Sequence, residues 1–151
     1  MKKIILSILF LSLSPAVLSG EFFPITGIYY DNLLERSVEV GTFYTYERVE
    51  REMEMRDGTV KKIFDHTKFV YLEGESNGED SNVTLGLGLH IGISSIRGGI
   101  SMVDIDDESL VGVEGVLTAF LFTFKAGVYR NQDTQSTEGM LGIGISITGG
   151  L

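Results

Sequence analysis

Four charged or titratable residues stand in segments whose other members are mostly small or aliphatic: His90, Arg97, Glu114 and Lys125. Each alternates with apolar neighbours, so all four are predicted to lie on the face opposite the aliphatic one. Because an unpaired buried charge is costly, groups gathered on one enclosed face have to pair with one another. We expect an interior polar cluster that fills its space with ion pairs. The competing interpretation is a gated pore or proton-linked site in which His90 titrates.

Covalent catalysis finds little support, because a nucleophile needs a base within hydrogen-bond reach. Ser94 follows His90 by four residues, which is ~13 Å along a strand. The other histidine, His66, lies in the charged segment IFDHTKF, where a solvated side chain is expected. The Gly-x-Gly spacings in LGLGLHIG and LGIGISITGG precede no helix, so a dinucleotide site is rejected. The sequence predicts no enzyme and no cofactor.

Other ligand classes are limited by composition. The acidic segments 104–108 (DIDDE) and 73–80 (EGESNGED) offer oxygen ligands for a divalent cation, but neither matches a calcium loop. Solvated loops are favoured there, and no metal site is predicted. The chain has no cysteine, which excludes disulfides and Cys-ligated metals. Its net charge of −9 gives no electrostatic basis for binding nucleic acid.

The segment 83–94 (VTLGLGLHIGIS) shows how these side chains are to be positioned. Its odd positions are all aliphatic, and its even positions are Thr, Gly, His or Ser. A period of two predicts a β-strand with one apolar face and one small, weakly polar face. Seven further segments are predicted as strands, so the chain is all-β: 22–30, 37–56, 59–73, 97–104, 109–118, 120–130 and 139–150.

The stretch 109–130 changes phase near Thr118 and Ala119. Its apolar residues occupy odd positions up to Leu117 and even positions from Phe120 onwards. Such a change moves the apolar set to the opposite face, so a tight turn or a bulge is required. We favour the turn, which places Glu114 and Lys125 on the same face.

The connections are predicted to alternate in length. Asp57-Gly58, Ser95-Ile96 and the turn near Ala119 are tight, whereas four others are longer and polar: 31–36, 74–81, 105–108 and 131–138. With an even strand count, this architecture resembles the eight-stranded bacterial outer-membrane barrels of the OmpA/OmpX type. The resemblance implies an antiparallel up-and-down barrel with periplasmic termini and short turns, and with the acidic loops outside. It also implies contact with the barrel-insertion machinery during assembly.

The N-terminus resembles a secretory signal peptide over residues 1–20, followed by one barrel domain over 21–151. Two lysines precede an apolar stretch that contains Pro15 and ends at small residues. The alternative, a retained anchor helix, is disfavoured because a span needs ~20 apolar residues. The final residue is Leu151, where outer-membrane barrels typically end in Phe.

Two environments for the aliphatic face stay open. In the first, the face contacts outer-membrane lipid, and the protein acts without catalysis through structure or surface contact, with its protein or ligand partner unknown. In the second, a soluble periplasmic or secreted barrel uses that face as a core and binds a small apolar ligand. The first is favoured because a soluble barrel would expose the small, uncharged face to water, whereas water-facing strands normally carry charges.

Residues 47–56, which carry charges on both faces, are predicted to form a hairpin tip beyond the membrane on the short-turn side.

Overall fold

The computed structural model describes residues 21–148, except for the side chains of Phe64 and Thr148. The predicted signal peptide and the chain end at Leu151 lie outside the described residues. The described residues contain no helix with the length and apolarity required to cross a membrane.

Eight antiparallel strands follow one another along the chain. They are β1 (Glu21–Asp31), β2 (Glu35–Glu54), β3 (Val60–Ser76), β4 (Ser81–Ile91), β5 (Ser94–Ile105), β6 (Glu108–Ala119), β7 (Phe122–Asn131) and β8 (Thr137–Thr148). Each strand pairs with the next, and β1 also pairs with β8, which closes the sheet into a barrel. The predicted all-β, up-and-down barrel is confirmed. One end of the barrel, here called the terminal end, holds the start of β1 and the end of β8.

The phase change in 109–130 is a turn, as favoured above. β6 ends at Ala119 and β7 begins at Phe122, so the turn residues are Phe120 and Leu121. Phe120 has a φ of 59°, the left-handed conformation that a tight reversal needs. The turn predicted at Ser95 and Ile96 was wrong: the chain reverses earlier, at Gly92-Ile93, where Gly92 supplies a φ of 58°.

The predicted alternation of long and short connections was also wrong. All seven connections in the described chain contain two to five residues. The polar segments assigned to long loops extend the strands instead: Asp31 pairs with Glu35, and Glu75 pairs with Asn82. Asp31 and Glu75 are buried, so their polarity reflects an inward orientation in the barrel wall.

The barrel has its apolar side chains outside. Leu141 is 73% exposed, Ile100 65% and Leu87 60%. Every strand contributes exposed apolar residues at alternate positions, for example Ile28, Val40, Val70, Leu87, Ile100, Val113, Phe124 and Ile143. The intervening side chains point inward and are largely polar. This distribution reverses that of a water-soluble barrel, in which the apolar side chains fill the interior.

Strands β2 and β3 continue past the rest of the barrel at the terminal end. The last β2 residue paired with β1 is Thr45, and the first β3 residue paired with β4 is Thr67. Beyond them, residues 46–66 form a two-stranded hairpin, here called the ribbon, with its tip at Asp57-Gly58. Register shifts lie at its base, between Thr45 and Glu47 and between Val49 and Glu50. The ribbon agrees with the predicted hairpin tip, and both of its strands are longer than the strands of the wall.

Candidate functional site

The candidate site is the interior of the barrel, where charged side chains from six strands meet. The buried charged residues of this interior are Glu39 on β2, Glu73 and Glu75 on β3, Arg97 on β5, Glu114 on β6 and Lys125 on β7, with Asp31 at the end of β1. Alternation along each strand aims these side chains inward while their neighbours face outward. Glu39, for instance, lies between the exposed residues Val38 and Val40.

Arg97 is one centre of this network. Its Nη2 donates to Glu39 Oε1 at 2.6 Å and lies 3.3 Å from Glu73 Oε2. The same nitrogen donates to the hydroxyl oxygen of Tyr29 at 3.2 Å. The guanidinium carbon lies 5.5 Å from the ring centroid of Tyr71, within the range of a cation–π contact. Arg97 therefore connects three strands, β1, β2 and β3, across the interior.

Lys125 is the second centre. Its ammonium nitrogen donates to Glu75 Oε1 and lies 3.9 Å from Glu114 Oε1. It also lies 4.6 Å from the ring centroid of Tyr29. Since Arg97 donates to the hydroxyl of Tyr29, this tyrosine contacts both cations. The two centres thus form one continuous network.

Glu114 is held by three neutral donors from two other strands, β4 and β7. Tyr129 donates through its hydroxyl at 2.7 Å, Thr84 at 2.9 Å and the Asn82 amide at 3.2 Å. Such multiple donation offsets the loss of hydration of a buried carboxylate. Replacing Glu114 would leave these three donors without their common acceptor.

Carboxylates outnumber cations in the network, with Glu39, Glu73, Glu75 and Glu114 against Arg97 and Lys125. Carboxylate oxygens of Glu39, Glu73 and Glu75 all lie within 4.8 Å of one another, a spacing that could hold a metal ion. The two cations already contact all three of these carboxylates. We therefore describe the group as an ion-pair network.

Inward-facing glycines make room for the aromatic rings. Four rings are paired directly across strands with glycines: Tyr29 with Gly144, Phe69 with Gly88, Tyr71 with Gly86 and Tyr129 with Gly112. A Cβ added to any of these glycines would come into hard contact with the paired ring. The small face of the segment 83–94 is thus occupied by side chains from neighbouring strands.

Apolar clusters lie on either side of the ion pairs. Towards the terminal end, Ile25, Phe43, Phe69 and Tyr71 pack together, with Phe23 against them. Towards the opposite end, a second cluster contains Leu34, Val103, Leu110, Tyr129 and Met140. The ion-pair network therefore lies between two apolar clusters.

Three of the four predicted site residues meet. Arg97, Glu114 and Lys125 belong to the network, and the same-face prediction for Glu114 and Lys125 agrees with their ion pair. His90 is buried but lies nearer the terminal end, opposite Thr67 and Ser95. Its Nε2 has no hydrogen-bond partner among the described residues. Ser94, which the sequence analysis weighed as a nucleophile with His90 as its base, is paired with Ile91.

Sequence reasoning did not include Glu39, Glu73 and Glu75, the main partners of the two cations. The signal for Glu39 was present, because it alternates with Val38 and Val40. Glu75 was assigned to a loop. The other histidine, His66, lies on the ribbon with its Nδ1 2.7 Å from Asp65 Oδ2.

Comparison with known proteins adds no assignment. A scan against protein-family models, a search of curated proteins and a search of solved structures each found no match.

Proposed function

We propose that this protein is an outer-membrane β-barrel that acts without catalysis, through its structure and its exposed ends. The observation that carries the proposal is the reversed distribution of side chains: aliphatic residues cover the outside, while ion pairs fill the inside. In water, each exposed Leu or Ile side chain would forgo roughly 1.5–3 kcal/mol of burial free energy. Lipid removes that cost.

The dimensions of the outer surface support this proposal. The strands of the wall from β4 to β8 contain ten to twelve residues, and a tilted strand needs about 9–11 to cross the hydrocarbon. On β4, the outward positions from Val83 to Ile91 are all aliphatic. Among the side chains that the structure describes, those with outward charges lie where this aliphatic belt ends, as at Arg36 and Arg130 towards the opposite end.

Aromatic side chains at the terminal end are consistent with a membrane interface. Exposed or half-exposed rings there belong to Phe22, Tyr44, Tyr46, Phe120 and Phe122. Phe22 and Tyr44 contact each other across β1 and β2, with ring centroids 5.1 Å apart. Barrels of outer membranes carry such girdles at headgroup level. The terminal end would then face the periplasm, with the barrel-insertion machinery as its partner during assembly.

The filled interior favours a structural role over conduction. The ion-pair network and its two flanking apolar clusters occupy the barrel along its axis. The same filling disfavours the alternative of a soluble barrel that binds a small apolar ligand, because the described interior offers charges where such a ligand needs an apolar cup.

Fractionation tests the proposal. After expression in a Gram-negative host, we expect the protein in the outer-membrane fraction, with an electrophoretic mobility that changes only on boiling. Recovery in the soluble periplasmic fraction, with the same mobility before and after boiling, would contradict it.

A further inference from the structure

The ribbon carries two open edges. Beyond Thr45 and Thr67, its strands pair only with each other within the described part of the chain. Each strand therefore presents a row of backbone donors and acceptors on its outer side. A hairpin of two strands is marginally stable by itself in water, and most of the side chains between residues 50 and 62 are exposed. Pairing with a further strand would stabilise the ribbon.

The two edges carry opposite charge. The β2 half, Glu47–Glu54, contains four glutamates and two arginines, whereas the β3 half, 60–68, contains three lysines and one aspartate. Within one ribbon the halves already match: Lys68 donates to Glu47 at 2.9 Å, and Glu52 lies directly opposite Lys62. Charges on an edge usually prevent association. Here they repel like edges and attract unlike ones.

We propose that the β2 edge of one copy pairs with the β3 edge of a second copy at the terminal end. This inference rests on the proposed function, because insertion in one membrane gives all copies the same direction. β2 of one copy and β3 of another then run antiparallel, as they do within the ribbon. Two β2 edges would run parallel, with like charges opposed. The contact is heterologous, so each copy retains an open edge for the next, and the assembly is a ring or an array.

Cross-linking tests the pairing in membranes that contain the whole protein. The chain has no cysteine, so Glu52→Cys and Lys62→Cys each introduce a single reactive site. Copies of the two variants, with different tags, are expressed together and treated with a short bismaleimide. We expect several-fold more dimer from the mixture than from either variant alone. As a position control, Arg36→Cys at the opposite end, mixed with Lys62→Cys, should give only background.

A charge series shows whether the contact has the proposed chemistry. Adding Lys61→Glu to the Lys62→Cys copy should lower the dimer yield several-fold, whereas Lys61→Arg should preserve it. Equal yields from the two additions would overturn the proposal, as would dimers that form as readily between two Glu52→Cys copies. Cross-links only to a different protein would also overturn it.

Heat-dependent mobility of the same samples separates the two claims. If the protein is folded in the membrane but gives no mixed dimers, edge pairing fails and the outer-membrane proposal stands. If it is soluble yet still gives the mixed dimer selectively, edge pairing stands and membrane embedding fails.

Discussion

Individual buried side chains in the interior depend on one another. Lys125 donates a hydrogen bond to Glu75 and lies 3.9 Å from Glu114. Arg97 forms ion pairs with both Glu39 and Glu73. Removing one member of a buried pair leaves an uncompensated charge, whereas removing both leaves a neutral gap. A charge network is therefore identified when removing one partner destabilises the barrel more than removing both.

Lys125→Met is expected to destabilise the barrel by ~3–5 kcal/mol, because it leaves Glu75 and Glu114 without a nearby cation. Adding Glu75→Gln should restore part of the loss, with a coupling free energy of at least ~1 kcal/mol. Urea unfolding of the lipid-reconstituted protein, followed by the folded band on a gel, measures both. Strictly additive losses would show that no charge coupling exists at this pair.

Gly88→Lys should prevent folding, and even Gly88→Ala should cost ~1–3 kcal/mol, as is usual for overpacking. A Cβ at this position would meet the ring of Phe69. Gly115→Ala is the matched control, since Gly115 is exposed and its Cβ would lie 4.0 Å from the nearest atom, the Arg97 carbonyl oxygen. Equal stability of the two alanine variants, by the same unfolding assay, would contradict the proposed packing.

Single strands also show what a sequence can and cannot predict. Alternation fixed the face of His90, Arg97, Glu114 and Lys125 correctly, because a period of two leaves only two choices. It carries no information about height along the barrel axis, which depends on the stagger between strands. His90 therefore shares a face with Arg97 and lies apart from its network. Glu75 was placed in a loop because the run 74–81 (GESNGEDS) contains no apolar residue, so no alternation assigns Glu75 to a strand face.

On β4, Leu87→Arg distinguishes lipid from water on the outer face. Leu87 is 60% exposed, so a soluble barrel would accept arginine there with little change. At the midplane of a membrane, the same change costs ~2–4 kcal/mol. We expect reduced assembly in the outer membrane, with Leu87→Ile close to the parent chain as control. Normal assembly of the arginine variant would count against lipid contact at this position.

At the ribbon tip, the pKa of Asp57 lies below its ordinary value of 3.8, because the Thr59 hydroxyl and amide donate to it. Because the pKa is lowered, the ionised carboxylate stabilises the turn fully at pH values above the ordinary pKa. This stabilisation is lost as the pH falls through the lowered pKa. The protection of the Thr59 amide, which is its exchange rate compared with the intrinsic rate at the same pH, should therefore fall in acid. In Asp57→Asn, which keeps an acceptor oxygen, that pH dependence should disappear; its persistence would assign the effect to another group.

The molecule as a whole is an eight-stranded closed barrel with ion pairs inside, aliphatic side chains outside and a charged ribbon at one end. Local alternation and turn residues predicted the strand count and nearly all strand positions. Closure through β1 and β8, and the partners of each cation, depend on contacts between residues far apart in sequence. The ribbon was anticipated from its charges, but its open edges follow only from where β1 and β4 stop pairing.

The most direct test of lipid contact on the outer face determines whether lipid or water surrounds the side chain at position 87. The chain has no tryptophan, so Leu87→Trp provides a single fluorescent reporter on the outer face. In vesicles whose lipids carry bromine on their acyl chains, we predict strong quenching of this tryptophan and little quenching by an aqueous quencher. Quenching by the aqueous agent, with no effect of the brominated lipid, would contradict the account of a lipid-facing barrel.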